Sequence, residues 1–297
     1  MRIVVSGATG LIGSALCTSL SASGHDVVRL VRRAPGPGDV QWDPARGVLP
    51  DGALRGADAV VHLAGAGIGD RRWTAEYRRE ILESRTKSTS LLASAIADTE
   101  GGPRVFLSGS AIGVYGATGD ESLDETSPAG TGFLAEVCLQ WEAATAAASS
   151  AGARVAHLRT GIVLSPAGGA LKKLLPLFRL GAGGPFGNGR QWQSWISLPD
   201  EVGAITHLLT ADVRGAVNLT APNPLTNAEF SKVLARVLRR PALLPVPRFG
   251  PALLLGGDLA DALLYTGQRV LPTVLQQSGY EFRHATLEAA LRDLLGR

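Results

Sequence analysis

The chain has 297 residues, of which 45% are hydrophobic and 19% charged, and its formal net charge is +3. That balance suits one large or two modest globular domains and excludes a disordered chain. The small charge excess, with no Lys/Arg run, leaves no footprint for a nucleic-acid partner, and the apolar run near Leu253–Leu255 is too short to cross a bilayer. Cys17 and Cys138 are the only cysteines. They have neither metal-ligand spacing nor a disulfide framework, so the reading is a cytoplasmic protein with no metal site. No basic segment followed by a signal-type apolar run opens the chain.

Met1 to Gly13, MRIVVSGATGLIG, carries the first motif. Ile3-Val4-Val5 is a strand-forming run, Ser6 to Gly10 a small-residue turn, and Leu11 to Ser23 a helix that Gly24 ends. Strand, glycine turn and helix in this order build an anion site. The helix N-terminus presents free N–H groups, and glycine lets a pyrophosphate approach the backbone. Gly7, Ala8, Thr9, Gly10, Leu11, Ile12 and Gly13 are therefore candidate cofactor contacts. Asp26 to Arg32 is the second strand. Its end holds Arg32 and Arg33 and no carboxylate. A planar guanidinium matches the 2′-phosphate of NADP, whereas a carboxylate would favour NAD, so NADP(H) is preferred over NAD(H).

Asp39 to Asp43 reads as a third strand and Ala57 to Gly65 as a buried fourth, with His62 a satisfied core residue. Thr74 to Asp98 is a long helix, Arg104 to Ser110 a strand, Phe133 to Ser149 a helix and Arg154 to Ser165 a strand. This alternation predicts an α/β fold, a doubly wound parallel Rossmann sheet. Such sheets bind ligands at the carboxyl ends of their strands. Leu63, Ala64, Gly65, Ser108, Ser110 and Arg159 would lie along that edge.

The rhythm then changes. Gly168 to Leu180 is helical. Gly181 to Ile196 is a Gly-rich loop whose Arg190, Trp192 and Trp195 read as a substrate-binding surface, with Arg190 available to an anionic group. Pro199 to Ala211 is a helix and Gly215 to Ala221 a strand. Thr226 and Glu229 form a capping box for a helix to Arg239. Pro241 to Pro247 is extended, and Leu253 to Leu264 and Thr286 to Leu295 are helical. The expected division is a dinucleotide-binding domain of residues 1–165 plus 198–222, and a smaller α/β substrate lobe of residues 166–197 plus 223–297.

The chain resembles the extended short-chain dehydrogenase/reductases. More narrowly, it is similar to the atypical epimerase/dehydratase-like branch with a C-terminal domain of unknown function. The motifs are SGATGLIG (6–13), VVHLAGAGI (60–68), RRWTAEYRREILESR (71–85), SGSAIGVYG (108–116), RTGIVLSPAGGAL (159–171), GGPFGNGRQWQSWI (183–196), APNPLTNAEF (221–230) and TGQRVLP (266–272). The resemblance implies an NADP-binding lobe, a small-molecule substrate held between the lobes, and cofactor contacts at Arg32, Leu63, Ala64, Glu80 and Arg85. It also exposes a departure. Catalytic members carry a Tyr-x-x-x-Lys pair on the helix after the fifth strand, where this chain has Phe133 and Val137. Phe has no proton to give and Val no charge. The surviving hydroxyl is Ser108 or Ser110, with Ser110 preferred; Tyr115 is a candidate substitute acid, expected without a neighbouring Lys to keep an ordinary phenol pKa, or else a packing or substrate-contact residue. Two functions follow: an NADP(H)-dependent oxidoreductase or epimerase-like enzyme, or a non-catalytic nucleotide-binding sensor or scaffold.

Overall fold

The computed structural model describes residues 1–241, 245–247, 249, 251, 253 and 256–297. Seven strands form one parallel sheet: β1 (Arg2–Ser6), β2 (Asp26–Val31), β3 (Asp39–Gln41), β4 (Ala59–His62), β5 (Val105–Ala111), β7 (Arg154–Thr160) and β11 (Gly215–Leu219). Their spatial order is β11-β7-β5-β4-β1-β2-β3. The order reverses at β1, so a crevice opens between the carboxyl ends of β1 and β4, as in a Rossmann sheet. Ile3, Val4 and Val5 are all fully buried, because a central parallel strand is covered on both faces. One face packs under α1 (Leu11–Ala22) and α6 (Leu198–Leu208), through Leu16, Leu20, Ile205 and Leu208. The other packs under α2 (Ala75–Asp98) and α4 (Ala146–Ser150), through Leu92, Ile96 and Ala148.

Local chemistry sets the ends of these helices. Thr74 caps α2 by accepting from the Tyr77 amide at 3.1 Å. Thr226 and Glu229 close the expected capping box on α7 (Asn227–Leu238), the Thr226 amide donating to Glu229 Oε2 at 2.9 Å.

Two expected elements are broken. The helix expected over Phe133 to Ser149 is two pieces, α3 (Phe133–Ala143) and α4. At the break the Thr145 hydroxyl reaches back to the Glu142 carbonyl at 2.7 Å and pairs with His157 Nε2 at 3.0 Å, so a side chain competes with the helical ladder. The strand expected over Arg154 to Ser165 leaves the main sheet at Gly161. A side chain there would meet the Ser194 carbonyl oxygen at 2.6 Å. Beyond it, β8 (Ile162–Leu164) pairs in parallel with β10 (Trp195–Ser197).

The remaining small sheets join β9 (Trp192–Gln193) to β12 (Leu225–Thr226), and β6 (Ser122–Leu123) to β13 (Arg269–Val270). A second core lies under α5 (Gly169–Arg179), α7 and α10 (Leu287–Leu295), around Leu175, Phe178, Trp195, Phe230, Leu234 and Leu291. The extended stretch expected over Pro241 to Pro247 and the first part of the helix expected over Leu253 to Leu264 lie largely outside the described residues. Within the latter, Gly257–Ala260 is a short helix (α8) and Asp261–Tyr265 a π turn. A further short helix, α9 (Thr273–Gln277), had no clear sequence signal. Among the described residues no helix is long and apolar enough to cross a membrane.

Candidate active site and cofactor cradle

The glycine turn is built by close packing. Gly7 has φ +70°, and a Cβ on it would lie 2.6 Å from the Leu63 carbonyl carbon. Gly13 sits beneath the turn, where a Cβ would lie 2.2 Å from the Gly7 carbonyl oxygen. Ser14 N–H donates to the Gly10 carbonyl at 2.9 Å, so α1 begins directly after the turn.

A cavity of about 940 Å³ opens there. Its floor is Gly7 to Gly10 together with Leu63, Ala64 and Gly65. Its outer end holds Arg32 and Arg33, both exposed and, among the described residues, without an ion pair. Glu80 lines it from α2 and pairs with Arg71 at 3.5 Å. The glycine turn, the β4 end, both arginines and Glu80 are thus brought together.

Other expected contacts stand apart from the cavity wall. Leu11 and Ile12 are half-buried on α1, and Ile12 packs onto the core. Arg85 lies next door: its stem runs against Gly65, one nitrogen donates to the Ile81 carbonyl at 2.9 Å, and the guanidinium covers the Trp141 ring at 5.0 Å. Burial, its largest influence, holds that guanidinium below its ordinary pKa. Ser108 is fully buried in the sheet, which removes it from ligand reach.

Ser110, Tyr115 and Arg159 belong to a buried polar network. Ser110 Oγ donates to Glu142 Oε1 at 2.7 Å. Arg159 grips the same carboxylate twice, from Nε at 2.8 Å and from its terminal nitrogen at 2.9 Å. The other terminal nitrogen donates to the Tyr115 hydroxyl at 3.0 Å, and that hydroxyl donates to Asn218 Oδ1 at 2.8 Å. Burial pushes Glu142 up, but hydrogen bonds from Arg159 and Ser110 outweigh it and hold the carboxyl below its usual range. Burial also raises Tyr115, which is completely enclosed. The expectation of an ordinary phenol pKa at Tyr115 is corrected upward. Both candidate catalytic hydroxyls spend their protons inside the protein, and Arg159 spends its charge on Glu142.

Phe133 and Val137 face an apolar cluster with Ile68, Trp73, Tyr77 and Ile81. Trp73 and Phe133 meet edge to face at 5.1 Å, and the Arg78 guanidinium lies over both rings. Tyr77 donates its hydroxyl proton to the Gly67 carbonyl.

In the Gly-rich loop, Trp195 is a core residue. It is fully buried and donates from Nε1 to the Asn223 carbonyl at 3.1 Å, so it does not form a substrate wall. Trp192 is half-buried, donates to Asp120 at 2.9 Å and carries Arg269 over its ring at 4.6 Å. Arg190 is exposed on the same loop.

His62 is the neutral core residue its setting predicts. Ser6 Oγ lies 2.5 Å from Nδ1 and Ser88 Oγ 3.1 Å from Nε2. Burial first, then Arg85, pulls its pKa down to about 3.

Sequence reasoning missed two walls of the cavity. Trp42 and the turn Asp43-Pro44-Ala45 close it beside Arg32. Glu76, Arg79, Glu83, Ser84 and Lys87 add one face of α2. The second wall had a signal, since those positions recur at three- and four-residue spacing on a single helical stripe.

A family model described as the NAD dependent epimerase/dehydratase family matches residues 3–220, and one described as a domain of unknown function (DUF1731) matches residues 246–294. Epimerase family protein Mb2239 of Mycobacterium bovis is 44% identical, over 97% of this chain and 96% of its own. The human epimerase family protein SDR39U1 is 38% identical, over 99% of this chain and 100% of its own. The crystal structure of human SDR39U1 (isoform2) with NADPH superposes with a TM-score of 0.91 at 36% identity, covering 100% of this chain and 99% of that one. A nucleoside-diphosphate sugar epimerase from Corynebacterium glutamicum reaches 0.83 at 37% identity, and this chain spans 58% of its length.

Proposed function

Because the chain belongs to the NAD-dependent epimerase/dehydratase family, we propose that it is an NADP(H)-dependent oxidoreductase or epimerase-like enzyme acting on a small polar substrate. The observation that carries this reading is the cavity of about 940 Å³ over the glycine turn, ending in Arg32 and Arg33, which have no ion pair among the described residues. Its floor has no room for a Cβ at Gly7, as a backbone cradle for a pyrophosphate requires. The turn and the first amides of α1 would hold the pyrophosphate. Arg32 and Arg33 would hold the 2′-phosphate, for which a guanidinium fork is the matching donor. The human relative solved with NADPH supports the same choice. When bound, the nicotinamide supplies the hydride chemistry, and the chain's own residues orient it.

The substrate would sit between the dinucleotide-binding part, residues 1–165 with 198–222, and the lobe of residues 166–197 with 223–297. Arg190 and Trp192 remain exposed or half-exposed groups for it. The two free, buried thiols of Cys17 and Cys138 suit a reducing compartment such as the cytoplasm. One observation favours the second reading, a nucleotide sensor: Ser110 and Tyr115 are held by Glu142, Arg159 and Asn218, and Phe133 and Val137 stand where the resemblance calls for the proton-transfer pair.

The test is a fluorescence titration with NADPH and NADH, repeated on Arg32→Ala. Losing one charge-assisted phosphate contact should weaken NADPH about tenfold or more and leave NADH nearly unchanged. No preference for NADPH in the parent protein overturns the cofactor assignment. NADPH consumption with a carbonyl panel then separates the two functions: turnover supports the enzyme, and tight binding with no turnover supports the sensor.

A further inference from the structure

The carboxyl edge of the sheet is not the only concave part of the molecule. A second cavity, of about 520 Å³, lies at the opposite edge, where β5 and β7 begin and α2 and α4 end. Its walls include Arg104, Arg154 and Arg214, with the turns at Gly101, Gly102 and Gly152. Every charged residue in its lining is an arginine; no carboxylate is present.

The three guanidinium groups are not equivalent. Arg154 is 8% exposed and forms the floor. It donates to the carbonyls of Leu208 and Leu209 at 2.9 Å and of Val213 at 3.1 Å, capping the C-terminus of α6. Those partners are carbonyl dipoles and not carboxylates. Arg104 and Arg214 are exposed at the rim, and among the described residues their side chains make no hydrogen bond or ion pair. Burial lowers the Arg154 pKa most; Asp212 partly restores it, and Arg214 lowers it further. Three guanidinium groups thus line one cavity, a like-charged setting that suits an anion. The turn at the cavity edge is close-packed: a Cβ on Gly102 would lie 2.7 Å from the Thr99 carbonyl oxygen, so this turn has no room for a side chain.

We propose that this cavity is a second anion site, separate from the cofactor cradle, for a small metabolite carrying one or two phosphate groups. Phosphate is the anion whose several oxygens match more than one planar fork at once. A volume of about 520 Å³ lies within the usual range of about 300–1,000 Å³ for small-molecule sites, so there is room for an organic body as well as the phosphate.

The experiment uses the full chain and inorganic pyrophosphate as the probe, followed by isothermal titration calorimetry at about 0.1 M salt. Pyrophosphate can also enter the cofactor cradle, so two double variants are compared. Arg104→Ala with Arg214→Ala removes only exposed rim side chains and leaves the Arg154 cap intact. Arg32→Ala with Arg33→Ala disables the cradle end. The expected result is binding that falls at least tenfold in the first variant and persists in the second, with NADPH affinity unchanged in the first. Binding unchanged by Arg104→Ala with Arg214→Ala, or lost only when Arg32 and Arg33 are replaced, overturns the proposal. So does an absence of binding in the parent chain.

Discussion

Glu201 should make this protein less stable as the pH rises, and Glu201→Gln should remove that loss. The side chain is completely buried on the first turns of α6. The Thr160 hydroxyl donates to Oε1 at 2.9 Å, and Oε2 has no partner among the described residues. Burial is the dominant influence and pushes its pKa from 4.5 up to about 8, with Thr160 pulling the other way. The folded state therefore keeps a proton that the unfolded chain releases between these two values, so stability is full below the unfolded pKa and falls as pH rises toward 8. Integrated to pH 7, the loss is about 3 kcal/mol. The N-terminal end of the α6 dipole favours the carboxylate by about 0.3–1 kcal/mol, too little to reverse the sign. Glutamine keeps the acceptor for Thr160 and has no proton to lose. Its amide leaves a donor where Oε2 was, which adds a constant offset independent of pH. Urea unfolding of both proteins from pH 5 to 8 gives the difference curve. The variant should gain about 2 kcal/mol on the parent between pH 5 and pH 7. A difference that stays flat across that range would refute the assignment of a proton to Glu201.

Three further outcomes are expected. Arg159→Met leaves Glu142 buried without its cation and should cost about 3–5 kcal/mol in urea unfolding; adding Glu142→Gln should recover part of it, because the uncompensated charge is then gone. Gly13→Ala puts a Cβ 2.2 Å from the Gly7 carbonyl oxygen, so NADPH affinity should fall at least tenfold while circular dichroism stays native, and unaltered affinity would count against the turn as cradle. His62, whose pKa is lowered to about 3, gives stability that is complete above about pH 6.5 and is lost as pH falls toward 3. Its ring nitrogens should report a neutral imidazole by NMR at pH 5, and a charged ring there would contradict the buried Ser6–His62–Ser88 arrangement.

The parts of this fold that were legible in the sequence are those governed by short-range chemistry. Ile3-Val4-Val5, Ala59 to His62 and Val105 to Leu107 are strand-forming runs because central parallel strands are buried on both faces. Thr226 and Glu229 mark a helix start because both capping bonds span three residues. The glycine turn is read the same way, since strand, turn and helix are contiguous. The breaks at Thr145 and Gly161 were hidden because each answers to a distant partner, His157 in one case and the Ser194 carbonyl in the other. The third strand was legible over Asp39 to Asp43, but the Trp42 wall was hidden because it depends on β3 lying beside β2, a pairing between separate segments.

The catalytic question was only half legible, for the same reason. Phe133 and Val137 are visible in the sequence at the positions where the resemblance calls for the proton-transfer pair. What the surviving hydroxyls do is not, because their partners are remote: Glu142 lies 32 residues from Ser110, and Asn218 lies 103 residues from Tyr115. A buried carboxylate–guanidinium pair earns its place only when its remaining lone pairs and protons are satisfied. Here Ser110, Tyr115 and Asn218 supply that satisfaction, so releasing either hydroxyl to a substrate would leave the Glu142–Arg159 pair under-bonded in a low-dielectric interior. If the enzyme turns over, substrate binding must replace those hydrogen bonds, or the proton must come from water or from the substrate itself. Ser110→Ala separates these routes. Loss of kcat with unchanged stability points to a hydroxyl recruited from the network, whereas loss of stability with retained kcat leaves Ser110 a support for Glu142.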